Sequence, residues 1–153
     1  TPADFKDSFI GGLANLAAGY GLELRDIEHV IASVALYVAS TGENSYRPTP
    51  IVAVLALMRI KRPELFEQCV NGSIQWSEID KFLARNNWAD PNEHREWTVK
   101  WWRAMLDDNW NDAEGVDVKN QISGTMFRYA FSSSKDAMQL VAQTMVDMRV
   151  LSS

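Results

Sequence analysis

The chain has 153 residues, 46% of them hydrophobic, a formal net charge of −5 and a single cysteine. That length fits one domain with a substantial core, and the acidic balance argues against a direct nucleic-acid partner, whose phosphates need a basic face. Lone Cys69 excludes an internal disulfide and points to a reducing, cytoplasmic compartment, and the longest apolar run, Ile51 to Met58, falls far short of the roughly 20 residues that span a bilayer.

The punctuation along the chain is a series of helix starts. Thr1-Pro2-Ala3-Asp4, Ser77-Glu78-Ile79-Asp80, Asp90-Pro91-Asn92-Glu93 and Ser133-Ser134-Lys135-Asp136 each set a capping side chain three residues before an acid. Such pairs satisfy orphan amides of a first turn. Pro2 and Pro91 occupy first helical positions, and Pro50 and Pro63 also read as first-turn prolines. Gly21, Gly42 and Gly72 stand where helices stop.

Between these marks the apolar spacing is helical. Phe5, Phe9, Leu13 and Leu16 make the first stripe, and Leu24, Ile27, Ile31, Val34 and Val38 the second. Ile51 to Ile60 is apolar almost all round and predicts a central buried helix. A buried strand competes for that run, but its Ala, Leu and Met content and the preceding Pro50 favour helix. Leu65, Phe66, Cys69 and Val70 follow Pro63, and Ile79, Phe82 and Leu83 mark another short helix. A longer one runs from about Pro91 to Trp110, lined by Trp97, Trp101 and Leu106. Val118, Ile122, Met126 and Tyr129 predict the next, and Met138, Val141, Met145 and Met148 the last. No alternating strand pattern or hairpin signal occurs, so the expectation is an all-α fold, an irregular bundle of about eight helices. Thr41–Pro48 and Asn111–Asp117 read as the longest loops.

Most chemical signatures are missing. His29 and His94 are far apart in sequence and there is one cysteine, so no zinc site is expected. Cys69 lies on an apolar helix face and reads as core filler. No Gly-x-x-x-x-Gly-Lys-Ser/Thr loop occurs, so the chain has no phosphate cradle of its own and no catalytic residue is assigned to it alone. The acids from Asp107 to Asp117 lack the glycine and terminal glutamate of a calcium loop and read as a solvated acidic loop.

Two features stand out. Trp97, Trp101, Trp102 and Trp110 fall in one helical stretch; core packing is the plain reading and a docking face for a partner protein the sharper one. Arg25 is the second. It sits at the start of a helix, where the backbone dipole disfavours a cation by roughly 0.3–1 kcal/mol. An arginine at a helix N-terminus suits phosphate oxygens; the plain alternative is a surface arginine paired with Asp26, Glu28 or His29.

The stretch Tyr20-Gly21-Leu22-Glu23-Leu24-Arg25-Asp26-Ile27-Glu28-His29 resembles the "aromatic … Leu-Ser-Leu-Arg-Asp-Ile-Glu" segment of KAP-type P-loop NTPases, which follows their nucleotide-binding core. Ile51 to Glu67, an apolar helix followed by Arg59-Ile60-Lys61-Arg62 and Pro63-Glu64-Leu65-Phe66, is similar to the same family's "apolar helix, then basic, Pro-Glu-Leu-Tyr" pattern. Order and spacing of the two segments also fit, over about Phe9 to Val70. The resemblance implies a helical lid over residues 1–72 and a C-terminal helical extension over 73–153, within one domain. It implies that Arg25 senses the γ-phosphate of ATP, with Mg²⁺, held by an N-terminal nucleotide-binding core outside this chain. It further implies other protein subunits as partners, a bacterial source and a role in anti-phage defence. Glu23 departs from the family pattern, where a serine or similar cap is expected; an acid there can pair with Arg25. Since the chain begins at Thr1 and lacks the phosphate loop, it is expected to be a piece of a longer ATPase. The rival expectation is a stand-alone helical adaptor that binds protein through the Trp97–Trp110 region without nucleotide chemistry.

Overall fold

A computed structural model describes residues 22–40, 49–84, 93–128 and 133–152. Among them there are seven helices and no strand: α1 (Leu24–Ser40), α2 (Thr49–Lys61), α3 (Pro63–Asn71), α4 (Trp76–Ala84), α5 (Glu93–Leu106), α6 (Ala113–Arg128) and α7 (Ser134–Ser152). The all-α expectation holds. The stripe Phe5–Leu16 and the caps at Thr1 and Asp90 lie outside the described residues, as do Gly21 and Gly42.

The fold is organised around α2. Eight consecutive residues, Ile51 to Met58, are each at most 3% exposed. Helices α1, α3, α5 and α7 all pack against α2, so it is covered on every side. Valine and isoleucine are mediocre helix formers, by up to about 0.7 kcal/mol per residue. Burying one such side chain contributes about 1.5–3 kcal/mol. Packing therefore outweighs propensity, and the run is a buried helix rather than a strand.

Several helix ends follow from sequence. Pro63 opens α3, after Arg62. Gly72 closes it with φ +73°, its N–H donating to the Cys69 carbonyl at 3.2 Å and the Ser73 N–H to the Gln68 carbonyl at 2.9 Å. Helix α7 then fastens this end, since Gln139 Nε2 donates to the Val70 carbonyl at 3.0 Å. Ser133 Oγ accepts from the Asp136 N–H at 3.1 Å, as its capping pattern predicts.

Other boundaries moved. Helix α4 begins at Trp76, one residue before Ser77, because the Gln75 carbonyl already accepts from the Glu78 and Ile79 N–H groups. The helix expected to reach Trp110 stops at Leu106. Trp110 instead folds back beneath Arg103, whose guanidinium lies 4.5 Å from the ring centroid. The expected acidic loop, Asp107 to Asp117, turns into helix from Ala113 onward. Asp112 Oδ1 accepts from the Gly115 N–H at 2.8 Å and starts α6, so Glu114 sits in a first turn where the dipole favours it.

The apolar stripe of α1 differs from the expected one. Val30, Val34 and Tyr37 are buried, whereas Leu24 is 72% and Ile31 48% exposed. Both stripes obey helical spacing and share Val34; Ile31 and Val30 differ by about 100° around the axis. The winning stripe carries the larger aromatic surface of Tyr37. A single cluster of buried residues runs from Val30 to Met145, so residues on both sides of position 72 share one core.

Candidate functional site

Helix α1 presents Arg25 in its first turn, with the side chain exposed. Its neighbour Asp26 is half-buried and is held by Lys61, with Nζ 2.7 Å from Oδ2. Asp26 stands near the start of α1 and Lys61 ends α2, so the two helices run antiparallel. Both charges suit the helix ends that carry them. The Lys61 hydrogen bond, with its charge, holds the Asp26 carboxyl below its usual range. Among the described residues, neither Glu28 nor His29 forms an ion pair with Arg25, and nor does Glu23. The plain expectation, an arginine absorbed by its neighbours, is thus not met within the described residues. No sequence signal pointed to Lys61, since the pair joins positions thirty-five apart.

The second basic end lies close by in the chain. Arg62 pairs with Glu64 across the start of α3, and this contact keeps the Glu64 carboxyl below its ordinary value. The two segments that carry the family resemblance thus meet in space, through Asp26 and Lys61.

The four tryptophans part company. Trp102 is fully buried and its Nε1 donates to the Pro50 carbonyl at 3.0 Å, locking α5 to the first turn of α2. Trp101 and Trp110 are core residues as well. Trp101 Nε1 is buried without a hydrogen-bond partner. Only Trp97, 38% exposed, stands at the surface. Trp101, Trp102 and Trp110 are thus core residues, and of the four only Trp97 remains on a surface that another protein could reach. The physical reason is that consecutive Trp101 and Trp102 point about 100° apart and α5 is covered on more than one side, by α2, α4, α6 and α7.

Cys69 is buried against Met58, its Sγ 3.7 Å from the Met58 Sδ. Burial pushes its thiol up to about 12, so it stays protonated and unreactive at neutral pH. Among the described residues no three His, Cys, Asp or Glu side chains gather as a metal site, and no helix is long and apolar enough to cross a membrane. No family model, curated protein or solved structure matches the chain.

Proposed function

We propose that this chain is the helical lid and C-terminal helical domain of a KAP-like P-loop ATPase. Its Arg25 reaches the γ-phosphate of Mg-ATP bound on a nucleotide-binding core that lies N-terminal to the chain in a longer protein. The observation that carries the reading is Arg25 itself: exposed at the head of α1, set against the helix dipole, with Asp26 beside it taken by Lys61. Cations at that position stabilise charge on a transferred phosphoryl group. The partner-docking part of the proposal narrows to Trp97. A bacterial source and a role in anti-phage defence belong to the same reading.

The test is Arg25→Ala in the full-length protein. Steady-state ATPase should fall roughly ten- to a thousand-fold in kcat while the isolated domain melts at an unchanged or slightly higher temperature. A domain that melts much lower, with ATPase unaffected in the parent, makes Arg25 a structural ion-pair residue and ends the proposal.

A further inference from the structure

The head of α1 is weakly held by the core. Its first fully buried residue is Val30, six residues in. Before it, Leu24, Arg25, Glu28 and His29 are exposed, and Asp26 and Ile27 are half-buried. Leu22 packs against the core just ahead of the helix. Among the described residues, the ion pair that links the first turn itself to another helix is Asp26–Lys61, with side chains 19% and 34% exposed. It closes the end of the α1–α2 hairpin opposite the 41–48 connection. Lys61 ends a helix buried from Ile51 to Met58, with Arg59 and Ile60 half-buried, so its backbone is a firm post. Arg25 is bonded in sequence to the residue that this post grips.

We infer that Lys61 is a positioning residue for Arg25, acting through Asp26 and fixing where the head of α1 presents the guanidinium. The inference deepens the lid proposal and rests on it for its catalytic consequence. A long, flexible side chain on a frayed first turn would reach a phosphate only part of the time. A clamped first turn removes most of that backbone freedom before nucleotide arrives.

Two measurements separate this inference from the lid reading. The first uses the chain itself. Nuclear magnetic resonance relaxation of the Arg25 backbone amide is compared in wild type, Lys61→Met and Lys61→Arg. Lys61→Met, which keeps an apolar stem, should raise ps–ns motion at residues 24–27 while the melting temperature moves by no more than about 4 °C. Lys61→Arg should restore the order. Unchanged motion in Lys61→Met overturns the inference. The second uses the full-length ATPase. Lys61→Met should lower kcat roughly ten- to a hundred-fold, as a misplaced catalytic contact does. It should add nothing in an Arg25→Ala background. Equal effects of Lys61→Met with and without Arg25 overturn the inference. An ATPase indifferent to Arg25→Ala instead defeats the lid reading, while the relaxation experiment still decides whether Lys61 orders the first turn.

Discussion

Two glycines on one helix should respond to the same substitution with opposite signs. In the middle of a helix, Gly→Ala ordinarily stabilises by about 0.8–1.0 kcal/mol. Gly124 faces open space, with nothing within 4 Å of a new Cβ, so Gly124→Ala should gain about that amount. Gly115 is different. A Cβ there would lie 2.4 Å from the Trp110 carbonyl oxygen and 2.9 Å from its ring Cγ. Backbone cannot yield as a side-chain tip can, so Gly115→Ala should lose about 1–3 kcal/mol. Thermal melts of the two variants check the pair; a Gly115→Ala protein as stable as wild type would mean that the Trp110 turn is not packed as described. In sequence the two glycines read alike, because only the returning Trp110 distinguishes them.

Among elements, polar joints between described residues supplement the apolar packing. Trp102 ties α5 to α2 through one hydrogen bond to Pro50 inside an apolar surround. Trp102→Phe keeps most of the ring but removes the donor, and should cost about 1–3 kcal/mol through the stranded carbonyl and the vacated space. Denaturant unfolding measures it, and a loss below a few tenths would show that the carbonyl is satisfied elsewhere. The α1–α2 joint is electrostatic and therefore pH-dependent. Asp26 has its carboxyl lowered in the fold, so its contribution is complete above the unfolded value near 3.8 and disappears as pH falls through the folded value. The pair's share of stability should thus decline as pH falls below about 4. Asp26→Asn should flatten part of that decline, as should Lys61→Met. If the acid limb of the stability curve is identical in Asp26→Asn and wild type, the pair makes no contribution to folding.

At the scale of the whole molecule, one apolar cluster serves residues on both sides of position 72. Truncation at Gly72 would strip α2 of the cover given by α5 and α7. The 1–72 fragment should therefore lack cooperative unfolding, whereas the 153-residue chain should show a strongly helical circular dichroism spectrum and a single transition. A fragment that melts cooperatively on its own would show two separate folding units. The whole chain should also fail to bind Mg-ATP in the micromolar range by calorimetry. One arginine at a helix end does not replace a phosphate cradle, and the sequence contains no Gly-x-x-x-x-Gly-Lys-Ser/Thr loop.

Local chemistry alone determined the helical class, the buried run Ile51–Met58, the first-turn proline at Pro63, the glycine stop at Gly72 and the cap at Ser133. Each depends on spacing, backbone dihedrals or a neighbour three or four residues away, and those are written along the chain. Arg25 was legible for the same reason, as a cation set against a helix dipole. Tertiary structure decided which of two overlapping stripes on α1 faces inward, and that Trp101, Trp102 and Trp110 belong to the core while Trp97 does not. It also decided that Lys61 rather than Arg25 takes Asp26. These choices depend on what a second helix brings to the same place, and periodicity within one helix carries no information about its neighbour.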